Sequence, residues 1–319
     1  MRCPHRPARR DGFTVIELLV VISIIVVVGS LSIGAVFSLR ESQMKSFTEA
    51  TVQKLASALD QQWKAVLDQA NEETVPGWAL SLANNDRRRA RVIYLKARLR
   101  QEFPVNFTQA RAPLVFSSLG GFTVPAKPAY FDALNGVASD PVWSSSAMLY
   151  MALAQGRRGM AAAQPDTLVD ASAIRSEAVA LGPPSGGTKS FPFFVDAWGN
   201  PLRIFAFPVG NDEINGPPYV SILPSNPNQG WDVQDPEDTL MSPVWPAAFR
   251  NDFQANIHLL PAAGSNVRAH HLLPVVASPG KDGLWGIDPI TMAPIAAQAN
   301  DATDNIYSYR LRRFGQRGD

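Results

Sequence analysis

The chain has 319 residues, 46% of them apolar and 18% charged, with a formal net charge of +1. That composition belongs to a folded domain carried on one apolar segment; it excludes a multi-span membrane protein and a disordered tail. The near-zero charge lacks the electrostatic footprint of a nucleic-acid binder, so no nucleic-acid partner is expected.

Residues 1–12 form a short leader with Arg2, Arg6, Arg9 and Arg10 against Asp11. Leu18 to Leu39 follows, 22 residues without an ionisable side chain. At about 1.5 Å of rise per residue this run is roughly 33 Å long, enough to cross a hydrocarbon core of about 30 Å. It reads as a transmembrane helix over 13–39 in contact with inner-membrane lipid. The basic leader marks the cytoplasmic side, so the remainder faces outward. A buried globular helix is one competing reading. Another is an ordinary secretory signal cut near Ser32, Gly34 and Ala35, although the run exceeds the usual ~7–15 residues of such signals. The single cysteine, Cys3, lies in the leader, so the rest of the chain holds no thiol and no disulfide.

Glu17 stands beside Leu18, Leu19, Val20 and Val21. A carboxylate carried into lipid costs at least a few kcal/mol unless it is partnered. It either stays at headgroup level, is protonated, or has a counter-charge. Cutting between Gly12 and Phe13 creates an α-amine at Phe13, one helical turn from Glu17. In an assembly of such helices, Glu17 of one copy pairs with the Phe13 amine of the next. Losing the leader turns 29 basic and 28 acidic residues into 25 and 27, a charge of −2.

Gly12-Phe13-Thr14-Val15-Ile16-Glu17-Leu18, behind a basic leader, resembles the class III signal of type IV prepilins and type II secretion pseudopilins. The resemblance implies a pilin-like subunit, cleaved after Gly12 by a prepilin peptidase and N-methylated at Phe13, with Glu17 serving registration in a filament. It further implies an assembly ATPase and a platform membrane protein as partners. The expected location is the inner membrane, single-pass, with the C-terminal head in the periplasm. A type IV pilus subunit, and a membrane-anchored enzyme or binding module using the same export signal, are the alternatives.

Gly29, Ser30, Ser32 and Gly34 cluster where a long helix bends or packs closely. Beyond Leu39 the apolar positions Met44, Phe47, Thr51, Leu55, Leu59, Trp63, Val66 and Ala70 recur every three or four residues, which predicts an amphipathic continuation over 40–72. Pro76-Gly77 is a turn signal. Residues 73–190 read as a helical and loop insertion: a helix over Asn84–Phe103 with a solvated basic side, and short helices over Ser144–Gln155 and Ala171–Leu181.

From Phe191 short apolar runs alternate with turns. Phe191–Val195 and Leu202–Phe207 flank Asp196-Ala197-Trp198-Gly199-Asn200-Pro201, a predicted hairpin; Tyr219–Leu223, Leu272–Ala277 and Ile306–Leu311 are further strands. One antiparallel sheet over 191–319, burying a face against the helix stripe, makes the fold α+β. The Trp198 turn resembles the Asp-Pro-Trp-Gly-Asn-Pro turn of major pseudopilins, with Ala197 in place of proline. Ser278–Gly283 and Asp301–Tyr309 resemble the paired C-terminal loops that bind calcium in that family, which implies Asp282, Asp301 and Asp304 as Ca²⁺ ligands; the other reading is Asp and Asn side chains that serve turns. Asn305 stands where an aspartate is common there, and Asp288–Asn300 is extra. No catalytic motif is present, and His258, His270 and His271 read as loop or strand-edge residues, so no enzyme activity is expected.

Overall fold

The structure is a computed structural model; it describes residues 15–117, 121–157, 164–183, 186–206, 208, 210–215, 234–235, 239–240, 246–258 and 273–315. The leader with Gly12 and Phe13, the side chains of Gly29, Ser30, Ser32 and Gly34, the Tyr219–Leu223 strand and His270–His271 lie outside the described residues. The chain divides into two compact units, Met1–Ser46 and Phe47–Asp319.

Helix α1 runs Val15–Glu72. Past the leader no proline interrupts the chain before Pro76, so nothing removes a backbone donor from its ladder. Ser23 is accommodated by donating its hydroxyl to the Leu19 carbonyl at 2.8 Å. Among the described residues no helix is long and apolar enough to cross a membrane. The single-pass inner-membrane location expected from the Leu18–Leu39 run is therefore corrected.

The Phe47–Asp319 unit is mixed α+β with small antiparallel sheets. Its elements are helices α2 (Gly77–Leu82), α3 (Arg87–Glu102) and α4 (Phe107–Arg111), strands β1 (Leu114–Phe116) and β2 (Phe122–Val124), and helices α5 (Pro128–Ala133), α6 (Ser144–Ala154) and α7 (Pro165–Leu168). Strands β3 (Ile174–Ala180), β4 (Thr188–Phe194) and β5 (Arg203–Phe205) follow, then α8 (Asp212–Asn215), α9 (Ala247–Phe253), β6 (Val275–Ser278), β7 (Ile306–Tyr307) and α10 (Ser308–Gly315). A π-helical turn at Gln254–His258 continues α9.

The predicted stripe of α1 is buried at Thr51, Leu55, Leu59, Trp63, Val66 and Ala70. Val52, Leu55, Leu59, Trp63 and Val66 share one core with Ile93 and Leu99 of α3, Leu149 of α6, Phe194, Ile204, Val276 and Ile306. Asp86 caps α3 by accepting the amides of Arg88 and Arg89 at 3.0 and 3.3 Å. The helix does not present a simple solvated basic side: Lys96, Arg100 and Glu102 are buried.

The single sheet expected is three: β1–β2, β3–β4 and β5–β6–β7. Ala171–Leu181 is not a helix but mostly β3, paired along its length with β4 from Ile174↔Phe194 to Ala180↔Thr188. Its alanines and glutamate carry helix propensity, and the long-range ladder overrides it. The Asp196–Pro201 turn closes as predicted, with Val195 bridging Pro201, but its two strands diverge into different sheets. Serines explain the divergence. Ser146 of α6 donates its hydroxyl to the Phe194 carbonyl at 2.7 Å and accepts the Phe194 amide at 2.9 Å; Ser145 accepts the amide of Ile204 at 3.2 Å. Two side chains thus stand in for a neighbouring strand and seal both edges. A second core beside them stacks Trp143 on Phe193, rings 5.0 Å apart, with Phe107 and Phe191. Tyr307 ends β7, and the remainder of the predicted Ile306–Leu311 strand is helical.

Candidate functional site

Two features carry the residues singled out by sequence. The first is the start of α1. Glu17 lies in its first turn, where the helix dipole favours a negative charge. Leu18, Leu19, Val20, Val21, Ile22 and Ile24 are each 49–62% exposed, and Ile25 to Val28 match them. These positions cover every side of the helix. A helix apolar all round belongs in a covered environment, and an exposed apolar surface of this extent marks an interaction site.

The second feature joins three loops of the Phe47–Asp319 unit. Asp196 is buried and accepts the amides of Trp198 and Asn200 at 2.9 and 2.8 Å, and the Ser278 hydroxyl at 2.8 Å. Burial raises its pKa above the usual carboxylate range, while those hydrogen bonds pull the other way. Asn200 donates to the Gly280 carbonyl at 2.8 Å, which ties the Trp198 turn to the loop after β6. The same loop meets the chain before β7: Asp304 accepts the amides of Lys281 and Asp282 at 2.7 and 3.3 Å. Gly280 permits this, because its φ is +75° and a Cβ there would stand 2.5 Å from Asp304 Oδ2. Asn305 donates to the carbonyl of Trp285 and the hydroxyl of Tyr307, both at 2.8 Å.

Asp282 and Asp304 are therefore brought to one turn, as their resemblance to a calcium loop implies. One oxygen of each is engaged by backbone donors, Asp304 Oδ2 by the Lys281 and Asp282 amides and Asp282 Oδ1 by the Leu284 amide at 2.8 Å. Asp301 sits in a separate 3-10 turn, Ala296–Ala302. Among the described residues no group of three or more His, Cys, Asp or Glu could hold a metal ion. Asn305 works here as a donor, which an aspartate could not do. As arranged, Asp282 Oδ1 and Asp304 Oδ2 take part in a hydrogen-bonded clasp.

Sequence reasoning missed the clasp's dependence on Ser278 and Asn200. The signal available was the coincidence of Asp, Ser, Asn and Gly at two turns, residues whose side chains satisfy backbone groups. Within the same loops Gly286 has φ +59°, and an added Cβ would lie 2.5 Å from the Gln298 carbonyl oxygen and 2.8 Å from the Ala302 amide. Gly286→Ala is expected to lower stability by about 1–3 kcal/mol in urea titration, since backbone on both sides cannot yield as a flexible side chain would.

A cleft of about 800 Å³ lies where α1 ends, lined by Glu72, Glu73, Arg87, Arg91, Asp235 and Thr239 among others. Three of its charged groups, Glu73, Arg91 and Asp235, are structurally employed. Arg91 donates to the Ala70 and Glu73 carbonyls, both at 2.6 Å, and so caps α1. Tyr94 donates to the Glu73 carboxylate, and burial together with that carboxylate raises its pKa to about 12. Asp235 accepts the Thr239 hydroxyl and amide and the Leu240 amide.

Comparison with protein-family models, with curated proteins and with solved structures gives no match for this chain.

Proposed function

We propose that the chain is a pilin-like structural subunit of a filament, of the kind that type II secretion pseudopilins form to drive protein export. The observation that carries this reading is an apolar helix start, exposed on all sides, bearing Glu17 in its first turn. The occupant of that surface is the same helix of further copies. Identical apolar helices side by side cover one another, and a carboxylate near the start of each sets their stagger. Glu17 meets the Phe13 amine of a neighbour once a prepilin peptidase has cut after Gly12, and Phe13 is N-methylated. Neutralising two charges in one contact makes register and association a single event. An assembly ATPase and a platform protein supply energy and a base. The subunit itself performs no chemistry: its role is mechanical. The Asp196–Pro201 turn, so similar to that of major pseudopilins, favours a secretion pseudopilus over a type IV pilus.

Cysteines placed one at a time along 15–28 of the Cys3→Ser chain, oxidised in cells, test the reading. Wild-type Glu17 is expected to give a ladder of cross-linked oligomers, and Glu17→Ala a loss of most of it with cleavage after Gly12 unchanged. Monomers throughout would overturn the filament. An undiminished ladder in Glu17→Ala would overturn the charge pairing.

A further inference from the structure

The outer edge of β3 is open over a short, self-complementary stretch. Val195 donates its amide to the Ala173 carbonyl and Leu181 to Gly187, so odd-numbered residues of β3 turn their backbone groups toward β4. Ile174, Ser176 and Ala178 therefore direct N–H and C=O away from it. From Leu181 onward that side is occupied, because Val137 bridges Leu181 and Gly182 donates to the Gly136 carbonyl. Among the described residues no other strand covers Ile174 to Ala178; the Ile174 amide is taken by the Ala171 carbonyl, which leaves its C=O and both backbone groups of Ser176 and Ala178, and residues 175–178 are all exposed.

The open stretch is centred on Ser176, and its charges are arranged symmetrically about that residue. Two copies related by a two-fold axis through Ser176 pair antiparallel, placing Ile174 opposite the second copy's Ala178 and Ser176 opposite its counterpart. In that register Arg175 of each copy stands opposite Glu177 of the other, twice. Those are the non-hydrogen-bonded positions, where facing side chains approach most closely. Shifting the axis by one residue to Glu177 places like charges opposite each other. Ser176 and Ala178 are small and offer no steric obstacle.

We infer that β3 is a self-association edge, joining the Phe47–Asp319 units of two copies through Ile174–Ala178 and two reciprocal Arg175–Glu177 ion pairs. This contact is independent of α1 and adds a lateral link between copies. A bare edge strand is ordinarily a liability, and opposite charges spaced two apart restrict its partner to one register.

The test uses the full chain carrying Cys3→Ser. Facing residues of a hydrogen-bonded pair have Cα atoms about 5.5 Å apart, within disulfide range. Ser176→Cys is expected to form a disulfide dimer on mild oxidation, and Ala180→Cys, beyond the open stretch, far less. Adding Arg175→Glu or Glu177→Arg alone is expected to cut the Ser176→Cys dimer at least about fivefold. Mixing those two charge variants, or combining both reversals in one chain, restores it. The same yields are expected with Glu17→Ala, which separates this contact from assembly through α1. No Ser176→Cys dimer, or one indifferent to a single charge reversal, overturns the inference, the latter pointing to collision or to another protein's extended peptide as the edge's partner.

Discussion

Glu102→Gln is expected to destabilise the Phe47–Asp319 unit by about 3–5 kcal/mol, the usual cost of leaving buried cations without their counter-charge. The Glu102 side chain is only 4% exposed, with the Lys127 ammonium at 2.6 Å, the Arg157 guanidinium at 3.2 Å and Arg98 at 3.6 Å. One carboxylate thus holds α3 to the chain entering α5 and to the chain after α6. Arg157 is additionally fixed, bonded to Gln62 of α1 and lying over the Phe103 ring. Lys127→Ala should cost much less, because Arg157 and Arg98 remain to balance Glu102. The pH dependence separates charge from packing. Burial lowers the Lys127 pKa, with Glu102 opposing and Arg157 and Arg98 adding to the shift. In Glu102→Gln that opposition is gone and the pKa falls further. A lysine whose folded pKa lies below its unfolded value penalises the folded chain when charged, and the penalty lifts as pH rises through the folded value. The deficit of Glu102→Gln in urea unfolding should therefore narrow between pH 7 and 10. An unchanged midpoint at pH 7 would remove the ion cluster from the account.

Asp196→Ala is the second large effect, about 3 kcal/mol or more. It strands two amides and one hydroxyl, at about 1 kcal/mol or more each where the site excludes water. The Trp198 turn and the loop after β6 would lose their link together, so hydrogen exchange should accelerate at Trp198, Asn200 and Gly280 and not in α3. The sign of the pH effect is opposite to that of a salt-bridged aspartate. Burial raises the folded pKa, so this residue's contribution is full below the unfolded value and is lost as pH rises through the raised one. The gap between wild type and Asp196→Ala should accordingly widen as pH falls from 7 toward 4. A gap that narrows on acidification would mean that the hydrogen bonds outweigh desolvation.

Much of this architecture is written locally. The period of Leu55, Leu59, Trp63 and Val66 is that of a helix with one buried side, and those residues are buried. Ser144–Gln155 and Asn84–Phe103 each hold a helix close to the predicted bounds, because apolar spacing and the Asp86 cap act within a turn or two. Ala171–Leu181 failed for the converse reason. Its pairing partner is the chain beyond Gly187, and no window of the sequence shows that Thr188–Phe194 will lie beside it.

The candidate sites divide along the same line. Glu17 stands out as a candidate because a lone carboxylate beside so many apolar neighbours is chemically conspicuous wherever the chain goes. The Asp196 turn was legible because glycine and asparagine favour that backbone in any context. Glu102 was not, since Arg98, Lys127 and Arg157 come from three segments and each is ordinary alone. Nor could sequence tell that one oxygen of Asp304, Oδ2, accepts the amides of both Lys281 and Asp282 and so closes a clasp. Residue order settles what is decided over one or two turns: helix faces, caps and tight turns. Burial of charge, strand partnership and the use to which a carboxylate is put depend on groups tens of residues away, and only packing brings those together.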